Sequence, residues 1–196
     1  GQIDGVGSGT NSLTMDATGS ITVANGIGLN KALHNLTLDA GGAIDIGGAI
    51  TLTGNLTVVD GTTVRFRGAV TIAGNLTITD ATDIIFDGPV TVTGDLSIAL
   101  GASINFAGNV AVAGNVTIGS SSAYTNIASV TFASNARFDF NGAASFYVNG
   151  SITSGNAVGG IGGISLPDSL TLGTNSTLPF AGNINRLRAG AILRVP

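Results

Sequence analysis

The chain has 196 residues, no cysteine or tryptophan, 31 glycines and a formal net charge of −4. The lack of cysteine excludes a disulfide framework and thiolate metal sites, and a weakly acidic balance gives no footing for nucleic acid. Hydrophobic residues make up 43% of the chain in alternating order, and no apolar run approaches the ~20 residues of a membrane helix, so a packed domain without a membrane span is expected.

Beginning at Gly1 without a signal peptide, the chain reads as a processed mature protein or an excised piece. Residues 1–27 read as an irregular opening coil, in which Leu13-Thr14-Met15 and Ile21-Thr22-Val23 already alternate apolar and polar. Gly28–Gly47 is the first stretch in register with the later repeats, with an irregular part at Asn30–His34.

From Gly48 the chain repeats every 20 residues: GAITLTGNLTVVDGTTVRFR, GAVTIAGNLTITDATDIIFD, GPVTVTGDLSIALGASINFA. Gly48, Gly68, Gly88 and Gly108 form one column, and Gly54, Gly74, Gly94 and Gly114 another. A fixed period of this length marks a solenoid, each repeat forming one coil. Every repeat holds three short alternating runs, such as Val70-Thr71-Ile72, Leu76-Thr77-Ile78 and Ile84-Ile85-Phe86. In a strand the first and third residues of such a run share a face. Six apolar side chains per coil therefore point inward. Thr51/Thr71/Thr91/Ala111, Thr57/Thr77/Ser97/Thr117 and Arg65/Ile85/Asn105 point outward. Gly-Asn, Gly-Asp and Asp-Gly between runs suit tight corners and left-handed dihedrals. The pattern predicts an all-β parallel β-helix of about 20 residues per coil, three short strands per coil, wound right-handed.

Residues 28–118 are the regular body of one elongated domain spanning 1–196. Over 119–196 the pattern degenerates. Gly119–Ser122 and Tyr124–Asn126 read as a loop or insertion, Val130–Phe132, Arg137–Phe140 and Ser145–Val148 as resumed runs, and residues 155–163 as a Gly-rich loop. Leu170–Leu172, Leu178–Phe180 and Ala191–Val195 read as terminal strands, with no helix to cover either end. Charge is uneven. The last sixteen residues hold Arg186, Arg188 and Arg194 without an acid, whereas the remainder holds 11 Asp against 4 Lys/Arg. Uncovered strand edges recruit further strands. Self-association is therefore expected between Gly1–Gly28 and Asn183–Pro196, with Arg186, Arg188 and Arg194 at the contact.

GAVTIAGNLTITDATDIIFD resembles the β-helical repeats of large secreted bacterial adhesins of the filamentous-haemagglutinin type, in its period, its Gly-Asn corners and its alternating Val/Thr/Ile. The resemblance covers Gly28–Ile118. It implies an extracellular or cell-surface stalk or fibre that mediates attachment, with host or matrix carbohydrate as a further partner, and it assigns no functional residue.

Candidate chemistry is sparse. Polysaccharide-degrading β-helices need clustered carboxylates on one outer face. Here Asp45 lies one coil from Arg65, and Arg67 one coil from Asp87, which reads as two inter-coil ion pairs, and no enzyme is expected. Asp60 and Asp80 share a column, with Asp83 and Asp87 near, so a Ca²⁺ bridge is weighed against solvated corner carboxylates, and the latter is preferred. His34 is the single histidine and reads as structural. No metal or cofactor is expected. Asn35, Asn55, Asn75, Asn115, Asn149 and Asn175 each open an Asn-x-Ser/Thr acceptor pattern for glycosylation. A corner Asn, an inward Leu or Val and an outward Thr generate that pattern without any glycan. Thr51-Leu52-Thr53 and Thr91-Val92-Thr93 suggest an ice-ordering row, which Ala73, Ala111 and Ala113 interrupt. The leading expectation is an extracellular self-associating fibre subunit or adhesin stalk. The alternative is a carbohydrate- or ice-binding module, and a polysaccharide-degrading enzyme ranks last.

Overall fold

The computed structural model describes residues 1–99, 101 and 103–114, followed by eight further strands as backbone. The strands are β1 (Leu13–Ala17), β2 (Ile21–Val23), β3 (Leu36–Ala40), β4 (Ile44–Ile46), β5 (Ile50–Leu52), β6 (Leu56–Val58) and β7 (Thr63–Phe66). They continue as β8 (Val70–Ile72), β9 (Leu76–Ile78), β10 (Asp83–Phe86), β11 (Val90–Val92), β12 (Leu96–Ile98), β13 (Ser103–Val112) and β14 (Val116–Ile118). Last come β15 (Tyr124–Phe132), β16 (Phe138–Phe140), β17 (Ser145–Val148), β18 (Ile152–Ser154), β19 (Ile164–Ser165), β20 (Ser169–Leu172) and β21 (Ile192–Arg194).

Successive coils pair in parallel and in register. Leu56 sits beside Leu36 and Leu76, and Leu96 beside Leu76 and Val116. The chain is a parallel β-solenoid with three faces. Face one is the eight-stranded sheet β1-β3-β6-β9-β12-β14-β16-β19. Face two runs β2-β4-β7-β10-β13-β15-β17-β20-β21, and face three stacks β5, β8 and β11 on the second half of β13. Faces two and three join into one sheet because β13 and β15 run through the corner that is a break in earlier coils. Their pairing shifts register between Phe106 and Asn109.

The inner columns close the core. Ile50, Leu52, Leu56, Val58, Val64 and Phe66 are at most 2% exposed, and their equivalents one and two coils on are buried alike. Each buried aliphatic or aromatic side chain contributes about 1.5–3 kcal/mol. Phe66, Phe86 and Phe106 stack face to face, with centroids 4.9 and 4.7 Å apart. Those distances equal the spacing of hydrogen-bonded strands, about 4.8 Å, because the ladder places each ring over the last.

One expectation needs correction. Tyr124–Asn126 is strand, not loop: Tyr124 pairs with Ser103 and Asn126 with Asn105. The extra residue in that coil falls before Tyr124, so the run itself stays in its column. The irregular part at Asn30–His34 makes the first coil longer than those of the body. Leu13 pairs with Leu36, a step of 23 residues, whereas Leu36 pairs with Leu56, a step of 20. The added chain lies between Ile27, which bridges to Ile50, and Leu33, which bridges to Leu52. Gly28 opens it with φ +74°, and a Cβ there would run into the Thr51 carbonyl oxygen. The expected loops at 119–122 and 155–163 and the strand at 178–180 lie outside the described residues.

Candidate functional site

The corner between faces three and one carries a side-chain ladder. Asn35 Oδ1 accepts the Asn55 N–H at 2.8 Å, Asn55 Oδ1 accepts that of Asn75 at 2.8 Å, and Asn75 Oδ1 accepts that of Asp95 at 2.9 Å. The corner residues cannot bond their N–H groups within a strand, so the amide oxygen one coil below supplies the acceptor. The glycine before Asn55, Asn75 and Asp95 follows from this ladder. A Cβ on Gly74 would meet Asn55 Oδ1, and one on Gly94 would meet Asn75 Oδ1. Close approach, not dihedral freedom, therefore selects glycine in this column. Among the described glycines only Gly9 and Gly28 have positive φ, so the corner glycines of the regular coils are not there to supply a left-handed dihedral.

These residues are also the candidate glycosylation acceptors. Asn55 and Asn75 are exposed and Asn35 is half-buried, each with Oδ1 committed to the ladder. Asp95 takes the same column, so the column does not require an amide nitrogen. Asn115, Asn149 and Asn175 lie outside the described residues, as do Arg186 and Arg188. Arg194 is described as backbone in β21.

Face two carries two ion pairs. Arg67 grips Asp45 through two hydrogen bonds, of 2.8 and 2.7 Å, and Arg65 Nε donates to Asp87 Oδ2 at 2.8 Å. The partners are crossed relative to the sequence expectation. Asp45 is the direct neighbour of Arg65 in register. A guanidinium on its full stem overshoots a neighbour about 4.8 Å away and meets the diagonal one, two residues along, where long side chains reach. Both pairs are partly exposed, with side chains 30–46% accessible. The Arg67 hydrogen bond holds the Asp45 carboxyl below its ordinary range and raises the Arg67 guanidinium in turn.

The amino-terminal segment carries a second polar cluster, which the repeat gave no means to find. The Gln2 amide donates to both oxygens of Asp4, at 2.9 and 2.8 Å, and holds its carboxyl below the usual range. The Asn30 N–H and Nδ2 add bonds of 3.1 Å each, and Lys31 Nζ reaches the Val6 carbonyl at 3.0 Å. Residues 1–11 are thus latched to the long part of the first coil, and Ile3 bridges to Ile27. Exposed His34 lies 3.4 Å from Thr53 Oγ1 through Nδ1.

Among the described residues no three carboxylates or imidazoles gather where a metal ion would sit. Asp60 and Asp80 are exposed, and Asp87 is engaged by Arg65. No helix among those residues is long and apolar enough to cross a membrane. Besides Asp16 and Asp39 in β1 and β3, faces one and three present columns of small uncharged side chains: Thr57, Thr77 and Ser97 in one column, and Thr51, Thr53, Thr71, Ala73, Thr91 and Thr93 on the other face. No family model, curated protein or solved structure matches the chain.

Proposed function

We propose that this chain is an extracellular structural protein, a self-associating fibre subunit or adhesin stalk, without catalytic activity. The observation that carries the reading is the unbroken parallel ladder of face two, nine strands from β2 to β21. With the buried columns inside it, such a stack resists bending, because each coil is bonded to the next along the whole axis. Its resemblance to the β-helical repeats of filamentous-haemagglutinin-type adhesins supports an attachment role at a cell surface. Nine strands at about 4.8 Å span about 40 Å. Electron microscopy of the purified chain is the test: objects much longer than one copy support a fibre subunit, and uniform single rods at all concentrations count against it.

A second reading rests on the uncharged hydroxyl-bearing surface of face three. Thr51, Thr71 and Thr91 stand in register on adjacent strands, with Thr53 and Thr93 just beyond the strand ends, a surface suited to a carbohydrate or to ordered water. Thermal hysteresis, or retention on an insoluble neutral polysaccharide, would favour it. Loss of viscosity in a polysaccharide solution would instead reveal an enzyme.

A further inference from the structure

Resting on the carbohydrate reading, we propose that the Asn-x-Thr rows at the corner of faces three and one bind an extended neutral polysaccharide laid along the axis. The pattern that reads in sequence as a glycan acceptor becomes, on the fold, a two-point row that holds a glycan. In Asn55-Leu56-Thr57 and Asn75-Leu76-Thr77 the middle residue is fully buried, and the outer two point away from the core. Register sets Thr37, Thr57, Thr77 and Ser97 side by side on face one. Asn35, Asn55 and Asn75 follow in the same order at the corner, joined by their ladder.

The ladder decides which atoms are left over. A side-chain amide has one acceptor oxygen and one NH₂ donor. Oδ1 of each asparagine is taken by the backbone N–H one coil on, so Nδ2 is the group that remains. Among the described residues nothing accepts from Nδ2 of Asn55 or Asn75, and the hydroxyls of Thr57 and Thr77 have no partner either. Because a backbone N–H must meet an oxygen, the amide cannot turn over, and the donor stays on the solvent side of these exposed residues. Each coil thus offers an amide donor beside a hydroxyl, and the pair recurs about 4.8 Å further along the axis.

The surroundings select the ligand. The lysine and arginine side chains among the described residues are Lys31, Arg65 and Arg67. Both arginines lie on face two, engaged by aspartates, and Lys31 donates to the Val6 carbonyl. The charges on and beside face one are Asp39, Asp60, Asp80 and Asp95, so an anionic polymer meets repulsion and no cation. The exposed large apolar side chains among the described residues are Val6, Leu29 and Val59, and none stands in these rows, so an apolar protein face has nothing to cover there. The matching partner offers uncharged oxygen acceptors at repeated intervals, as a hydroxyl-rich neutral glycan chain does. A single contact of this kind is weak, and a row of them on one chain gains from effective concentration.

Two paired substitutions in the full chain test the rows. Asn55→Asp with Asn75→Asp removes both donors but keeps the ladder oxygen, since Asp95 already places its Oδ1 in that column. Thr57→Val with Thr77→Val removes two hydroxyls, keeps the β-branched shape and adds no charge. The assay is depletion from solution by insoluble cellulose, chitin and mannan, with carboxymethyl-cellulose as the anionic counterpart and circular dichroism to check folding. The unaltered chain should bind at least one neutral polymer and not the anionic one, and each pair of substitutions should weaken that binding about tenfold. Thr71→Val with Thr91→Val, on face three, should leave it unchanged. If one of the first two pairs fails to fold, the other decides alone. Unchanged binding by either folded pair overturns the rows, and a loss confined to the face-three pair returns the carbohydrate reading to that face. Equal retention on carboxymethyl-cellulose overturns the choice of a neutral ligand. A chain that no neutral polymer retains overturns both the rows and the carbohydrate reading.

Discussion

Replacing Phe86 by alanine probes the stacked interior most directly. Its ring is fully buried between Phe66 and Phe106, at centroid distances of 4.9 and 4.7 Å. Phe-to-Ala changes in cores cost about 3–5 kcal/mol through lost transfer energy and the cavity left behind. Two ring contacts, each worth about 0.5–1.5 kcal/mol, disappear together, which places Phe86→Ala toward the upper end of that range. Met15→Ala is the comparison. That side chain is half-exposed on the first strand of face one, with a partner coil on one side only, so about 1–2 kcal/mol is expected. Urea titrations followed by circular dichroism measure both. Because each coil touches only its neighbours, a weakened middle coil also uncouples the two halves, so the Phe86→Ala transition should broaden or split and its slope should fall. Equal midpoint shifts for the two variants, with equal slopes, would refute a continuous aromatic column as the centre of stability.

Gly28→Ala forces an alanine to φ +74° and drives its methyl into the Thr51 carbonyl oxygen. A loss above about 2 kcal/mol is expected by urea titration, against a change within about 0.5 kcal/mol for Gly19→Ala, where a Cβ meets open space. Asn55→Ala leaves the Asn75 N–H without its acceptor and should cost about 1 kcal/mol and speed exchange of that amide. Asn55→Asp should be nearly neutral at pH 7, since Asp95 holds the same column, and equal effects of the two variants would mean that the ladder contributes nothing. The Asp45 carboxyl is lowered in the fold, first by its hydrogen bond from Arg67, so its contribution is complete above the ordinary carboxylate pKa of about 3.9 and is lost as pH falls through the folded value. Asp45→Asn should therefore lower the urea midpoint at neutral pH and converge with the unaltered chain in acid, and a constant gap at every pH would contradict that assignment.

The buried columns were legible because two periods coincide in them. Alternation within Val70–Ile72 sets the inward face, and the 20-residue repeat sets which residues touch, so Leu56, Leu76 and Leu96 could be placed in contact from letters alone. Corner glycines were legible as corners but not for their reason, because the intruding Oδ1 belongs to a residue one coil away. The ion pairs failed at the choice of partner. Column neighbours follow from backbone register, whereas a diagonal contact depends on the length of the arginine stem, which periodicity does not report. The Asp4 latch was not legible at all, since Gln2, Asp4, Asn30 and Lys31 fall where the repeat has not begun or is stretched.

In-register stacking also limits where recognition can be written on such a chain. The six inner positions of a coil answer to their columns, and the Gly-Asn corner answers to the backbone of the next coil. Only the outward residues are left to vary freely, and these too are set beside their equivalents: Thr57 beside Thr77, and Thr77 beside Ser97. A binding feature on one coil is therefore repeated about 4.8 Å further along the axis wherever the column is kept. A partner with many equivalent groups, such as a polysaccharide or a surface lattice, gains from each repetition, because every contact after the first is made at high effective concentration. A compact ligand with one recognisable group gains nothing from it. The uncharged columns of faces one and three thus suit extended partners, whereas the crossed arginine–aspartate pairs of face two, already satisfied between coils, act to tie the stack together.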